Sequence, residues 1–238
     1  PVPVVVPVRS ETNPGMAGNV AANLKAMGND VKLITNKDVI RKIRYMDDRY
    51  NQMVLRVDEN DNCKEYSGFA DGDPVVCDAI EWADAIIISD YNKGFLSEEI
   101  IETFAGASKC PVFLDTKKFL GDWCKDVDFI KINSLEHEKN FERIPQYPGL
   151  QDKLIVTKGK HGCEHKGKIY PTVNVPVKDV SGAGDTFIAG LTSNYIEELT
   201  TLIKKKDTSN ITKISANIHA ADIAEIIENL AYDHAKYF

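Results

Sequence analysis

The sequence predicts an α/β protein, a doubly wound, mostly parallel sheet flanked by helices, with a small β-hairpin lid. Three observations predict it. Short continuous apolar runs, of which residues 85–89 (Ala-Ile-Ile-Ile-Ser) are the clearest, mark strands buried on both faces. These runs alternate with segments of helical pattern. Each run also ends in polar residues: Asp90, Asp115, Asn133 and Lys158-Gly159. Ligands of such sheets collect at strand carboxyl ends, so the polar ends and the fold class support one another.

In chain order, residues 4–8 read as a strand and residues 19–27 as a helix closed by Gly28. Residues 31–35 read as a short buried strand. Residues 43–45 and 53–57 alternate around a polar turn, the pattern of a hairpin. Ser97 caps a helix through residue 107, with Glu98 and Glu99 in its first turn, where the dipole favours acids. Residues 112–114, 129–132 and 154–157 are further buried strands, and Gly159 and Gly162 bracket a turn between two strands. The chain reads as one domain over residues 1–238, with 39–59 as the lid insertion. Its 238 residues suffice for a sizeable core.

The formal net charge is −7 and the only basic run is residues 204–206, so nucleic acid is not an expected partner. No apolar stretch is long enough to span a bilayer. Residues 1–8 are apolar but short, broken by proline and without a basic flank, so neither a membrane anchor nor a signal peptide is expected. The five cysteines are scattered and odd in number, the usage of reduced thiols in a cytoplasmic protein. His161 stands in the Gly-bracketed turn and His165 where the second strand begins, with no second ligand pair at zinc spacing, which favours a turn over a metal site.

Residues 179–188 read Asp-Val-Ser-Gly-Ala-Gly-Asp-Thr-Phe-Ile. With almost no side-chain bulk at Gly182, Ala183 and Gly184, their N–H groups can turn toward one point and form a nest for negative charge. The small apolar run that follows makes the nest open a helix, whose positive end faces the same point. Asp185 stands at the rim. A carboxylate beside an anion hole suits removal of a proton from a hydroxyl that then attacks the anion, as in phosphoryl transfer. The bland alternative is a Gly-rich turn before a helix.

The whole string resembles the C-terminal signature of the ribokinase-like (PfkB) carbohydrate kinases, including Asp179, the Gly-Ala-Gly-Asp core, Ala189 and Gly190. The resemblance implies a ribokinase-like fold and ATP-dependent phosphorylation of a sugar or sugar-like alcohol. It implies Asp185 as base, Gly182, Ala183 and Gly184 as anion hole, and room for a monovalent cation near Asp179. The stretch containing Gly15, Gly18 and Asn19 resembles the family's N-terminal signature, which faces the sugar; Asn19 can both donate and accept, as a polyol demands. Asp38 stands where the family expects a glycine, and the family's first strand and a segment before the lid have no counterpart in this sequence.

The hairpin resembles the lid of the heptose-7-phosphate kinases. Asp90-Tyr-Asn-Lys-Gly, with Asp90 and Lys93, and Asp115-Thr-Lys resemble further elements of that group. Lys42, Arg44, Gln52 and Arg56 are the lid candidates for substrate, and guanidinium and ammonium groups suit a phosphate already on the sugar; the other reading is the wet face of a hairpin. Asn133-Ser-Leu-Glu136 resembles the N-x-x-E element, in which the Glu136 counterpart acts on magnesium, usually through water. The same pair fits a helix cap. Thr157, Gly159 and Gly162 resemble the hairpin beside the ATP phosphates and ribose, and Asn217 and Asn229 compete for the adenine wall. Exposed lid strands often pair in this family, so the resemblance implies a homodimer.

Two other classes stay open. A degenerate homologue could bind nucleotide or sugar and regulate a partner, though such a module has no need of Asp185. A dinucleotide-dependent oxidoreductase ranks last, since no G-x-G-x-x-G follows an N-terminal strand.

Overall fold

The structure is a computed structural model that describes residues 4–47, 49–50, 52–68, 72–172 and 182–205. Its main sheet has six strands in the order β3 (Ile86–Asp90), β4 (Val112–Thr116), β5 (Phe129–Asn133), β6 (Leu154–Thr157), β7 (Cys163–His165) and β8 (Lys168–Tyr170). The first four are parallel and the last two turn back antiparallel. A separate antiparallel hairpin, β1 (Arg41–Asp47) and β2 (Gln52–Glu59), forms the lid.

Adjacent strand residues point to opposite faces, and both faces of this sheet are covered. Ile88, Leu114, Ile130 and Leu154 lie on one face with Ile101 of α3 (Glu98–Ala107) and Trp123 of the 3₁₀ turn Asp122–Cys124. Phe113 and Ile155 lie on the other, against Val20 of α1 (Met16–Ala26) and Ile188, Leu191 and Tyr195 of α6 (Ala183–Lys205). Phe113 stacks on Phe129 at 4.8 Å between ring centres and meets Tyr195 edge-on at 5.7 Å. Burial on both faces is why these strands are apolar without alternation.

Local sequence starts and stops the helices. Ser97 Oγ accepts from the Ile100 amide at the head of α3. Asp73 Oδ1 accepts from the Val75 amide, and Pro74 fills the first position of α2 (Pro74–Trp82), a helix whose Asp-Pro start signal went unread in the sequence. Asn133 and Glu136 form a reciprocal capping box at α4 (Ser134–Asn140). A single short turn of helix, α5 (Leu150–Lys153), leads into β6.

Two sequence expectations fail. Residues 4–8 form no strand, and Val4, Val6 and Val8 are 84, 81 and 83% exposed. Residues 31–35 form no strand either, with Leu33 and Ile34 exposed. Apolar composition makes a strand only where a neighbour supplies backbone partners. Among the described residues β3 pairs on its β4 side alone, and neither segment joins the ladder. Pro7 also lacks the N–H a ladder needs.

Candidate functional site

The carboxyl ends of β3, β4 and β5 converge on the start of α6. Gly182 has φ +80°, and a Cβ there would lie 2.7 Å from Asn19 Nδ2. A Cβ on Gly184 would lie 2.6 Å from Lys131 Nζ. The two glycines therefore leave space for one amide and one ammonium pressed against the loop. Ala183 opens the helix, and Thr186 N donates to Gly182 O at 2.9 Å. The first N–H groups of a helix have no acceptor within it, so this end carries the positive pole of a 23-residue helix.

Asp185 lies in that first turn and is only 3% exposed. Its Oδ2 accepts from Asn19 Nδ2 at 2.9 Å and its Oδ1 from the Tyr91 hydroxyl at 2.8 Å. Asn19 is held in turn: its N–H donates to Gly15 O at 3.0 Å, and its carbonyl accepts from Asn23 Nδ2 at 2.8 Å. Gly15 takes φ +58° at the head of α1, and a Cβ on Gly18 would meet Pro14 Cβ at 2.9 Å. Thr186 Oγ1 donates to Asn23 Oδ1 at 3.2 Å, tying α1 to α6.

Burial, and then the Asp185 carboxylate, pushes the Tyr91 phenol well above its usual range, so it stays a donor. The Lys42 and Lys117 ammonium groups lie 5.8 and 5.4 Å from the centre of its ring. Lys117 also pairs with Glu136 Oε1, while Glu136 Oε2 accepts from the Asn133 amide at 2.8 Å. Asp185, Tyr91, Lys117 and Glu136 thus form one connected line. Behind Gly184, Lys131 Nζ donates to Asp115 Oδ2 at 2.7 Å, both side chains buried. Burial pushes the Asp115 carboxyl up and the Lys131 charge opposes that shift. Asp115 Oδ1 is buried with no partner among the described residues.

The donor set suits a hard cation. Glu136 and Asp115 offer carboxylate oxygens, one of them unpartnered. Among the described residues no group of three His, Cys, Asp or Glu could hold a metal. Magnesium keeps several waters and needs only one or two carboxylates beside phosphates.

The remaining sequence candidates spread wider. Asp90 is buried and ties the end of β3 to the end of β4: Oδ2 accepts from Thr116 Oγ1 at 2.8 Å and Lys118 Nζ at 2.9 Å, and Oδ1 from the Asn92 amide at 3.0 Å. Lys93 pairs with Asp61. On the lid, Arg44 stands directly opposite Arg56, and Lys42 opposite Asp58. Arg56 is exposed and makes a forked pair with Asp58 at 2.7 and 2.6 Å. Burial lowers the Lys42 ammonium pKa, with Lys93 and Arg56 adding to the shift. Gln52 sits exposed at the far end of the hairpin, opposite Asp47. Thr157 is beside Asn133 in the ladder, and Ser134 Oγ donates to Thr157 O at 3.2 Å. Gly159 has φ +56° and Gly162 φ +85°, and a Cβ on Gly162 would meet Tyr170 O at 1.8 Å, so only glycine fits that turn. Asp179, Asn217 and Asn229 lie outside the described residues.

Sequence reasoning found Asn19 but missed two other close neighbours of the site. Tyr91 stands one residue beyond Asp90 at a strand end, and Lys131 is a lone charge inside the apolar run of β5. A buried charge in a strand core is itself a signal.

Comparison with known proteins identifies the family. Residues 58–208 match the family described as pfkB family carbohydrate kinase. The chain is 30% identical over 236 aligned residues to the bifunctional protein HldE of a Nitratiruptor species, covering 80% of this chain and 50% of that protein. It is 29% identical over 245 residues to the bifunctional protein HldE of a Marinomonas species, covering 82% and 50%. The chain spans about half the length of the curated relatives it matches.

Proposed function

The chain belongs to the pfkB family of carbohydrate kinases, and we propose that it transfers the γ-phosphate of ATP to a hydroxyl of a sugar or sugar phosphate, with a heptose 7-phosphate as the preferred acceptor. The observation that carries this reading is Asp185, a buried carboxylate set in the first turn of a long helix beside the Gly182–Ala183–Gly184 amides. Asp185 takes the proton of the acceptor hydroxyl as that oxygen attacks the γ-phosphorus and the bond to ADP breaks. The amides at 182–184 and the helix pole stabilise charge on the transferring phosphoryl. Lys131, pinned by Asp115 behind Gly184, sets the ammonium end of an ion pair against the loop. Magnesium, held by Glu136 and Asp115 through water, would neutralise phosphate charge. Thr157, Gly159 and Gly162 border the nucleotide.

A phosphorylated acceptor is favoured by the lid. Like charges directly opposite on a hairpin destabilise it, yet Arg44 faces Arg56 and Lys42 shares their side by register. Asp58 on the same side already engages Arg56, and an anion beside Arg44 and Lys42 would remove the cost that is left. The other side of the hairpin is apolar. Ile43, Tyr45, Leu55 and Val57 share it by register, and Leu55 is 48% exposed. It suits a homodimer through the lid. The rest of the reading is a single kinase domain with 39–59 as lid, working in the cytoplasm on small molecules. No helix among the described residues is long and apolar enough to cross a membrane.

A coupled ADP-release assay over heptose 7-phosphates, fructose 6-phosphate, ribose and nucleosides tests the proposal. The expected outcome is acceptor-dependent ADP release, fastest with the heptose 7-phosphate. Binding of ATP or sugar without any turnover would instead favour a regulatory protein.

A further inference from the structure

Both oxygens of Asp185 are already engaged in the structure, and the two donors are not equivalent. With Asn19 and Tyr91 in place the residue is 3% exposed, which leaves no surface for a third partner. An acceptor hydroxyl must therefore displace one of them. Asn19 is fixed by backbone bonds on both sides within α1 and is wedged against Gly182. Tyr91 is only half-buried and stands on the loop just past β3, held to the site by its single hydroxyl bond and by two ammonium groups near its ring.

We propose that the Tyr91 hydroxyl is a placeholder for the acceptor on Asp185 Oδ1 and that it guards the base against water until the acceptor arrives. The inference rests on the kinase reading above. A kinase with an unguarded aspartate would activate water as readily as an alcohol. Water would lose its proton to Asp185 while its oxygen bonded to the γ-phosphorus and the bond to ADP broke, yielding ADP and inorganic phosphate. The phenol blocks that route by holding Oδ1 with a bond to a charged acceptor, among the stronger neutral donors available. Release is tied to the substrate through Lys42, the lid ammonium that lies 5.8 Å from the Tyr91 ring. An anionic acceptor that draws Lys42 to itself removes one of the contacts that hold the ring.

Tyr91→Phe keeps the ring and both ammonium contacts and deletes the hydroxyl alone. The measurement is ADP release with ATP and magnesium, with and without acceptor, for the wild type and the variant, with thermal melting as a check of folding. The expected result is that the ratio of acceptor-independent hydrolysis to transfer rises about ten-fold, the scale of one hydrogen bond to a charged group, and that the acceptor KM falls. The double variant Asp185→Asn, Tyr91→Phe should return hydrolysis to the wild-type level. An unchanged ratio, loss of both activities together, or hydrolysis that persists in the double variant would each overturn the placeholder role. Absence of acceptor-dependent turnover in the wild type would overturn the kinase reading instead, and the two failures are separate.

Discussion

The two halves of the candidate site are built on opposite principles. At the start of α6, charge is buried and mutually engaged: Asp185, Asp115 and Lys131 are 3, 2 and 4% exposed, and their contacts join elements far apart in sequence. On the lid, the arginine charge is exposed and local. Arg56 finds Asp58 two residues away, and Arg44 stands opposite another arginine. Buried dipoles and charges need no reorganisation during reaction, whereas exposed ones are screened and free to rearrange. On the proposed reading, phosphoryl-transfer chemistry belongs to the rigid half. On the same reading, acceptor choice falls to the adaptable half.

The sharpest way to break that division is Asp185→Asn. The amide keeps the shape and can still meet Asn19 and Tyr91, but it removes no proton. Turnover should fall by about 10³, the range for loss of a general base, while ATP affinity by calorimetry stays within about two-fold. A parallel loss of ATP binding would show that Asp185 is structural. Gly182→Ala comes next. It places a methyl 2.7 Å from Asn19 Nδ2 at a φ of +80°, so both the backbone and the Asn19–Asp185 bond must give. Turnover should drop by roughly 10², with stability reduced by about 1–2 kcal/mol; a neutral variant would mean the loop is not preorganised.

Arg56→Gln addresses the other half. It should raise KM for a phosphorylated acceptor about ten-fold with kcat little changed, and leave unphosphorylated sugars unaffected. Added salt should mimic it in the wild type. A fall in kcat would mean that lid charge acts in the transition state.

The same contrast explains what could be read in the sequence. The strands β3 to β6 were legible because two-sided burial writes continuous apolar runs, and Asp185 and Asn19 because glycine spacing constrains the backbone beside them. The segments at 4–8 and 31–35 have the composition of strands, but composition does not reveal whether a neighbour is there to pair with. Tyr91 was invisible for a related reason. Its partner Asp185 is 94 positions away, and nothing local distinguishes a tyrosine that reaches a distant buried carboxylate from one that fills a loop. Lys131 was readable in principle, since an ammonium in a strand core must have a partner; what stayed hidden is that the partner is Asp115, 16 residues back.

The smallest expected effect concerns stability against pH, and it separates the sheet core from the lid by the window in which each responds. His165 is buried in β7, with Nδ1 2.7 Å from Leu154 O and Nε2 without a partner among the described residues. A proton on Nε2 would bury an unpaired charge, so burial lowers the imidazole pKa. The unfolded chain, with an ordinary His near 6.5, then binds the proton more readily than the fold. Stability is full above that value and declines as pH falls below it toward the folded pKa, with a slope of at most about 1.4 kcal/mol per pH unit. The lid pair behaves otherwise. The Arg56 bond holds the Asp58 carboxyl below the usual carboxylate range, so whatever stability it contributes is present throughout neutral and mildly acid solution and is lost only at lower pH. Denaturant melts between about pH 7 and about pH 5.5, the span on either side of an ordinary His pKa, should therefore show a decline that His165→Gln flattens and Arg56→Gln does not touch. If the lid variant alone changed that slope, the lid charges would be coupled to the core, and the division between a fixed half and a free half would fail.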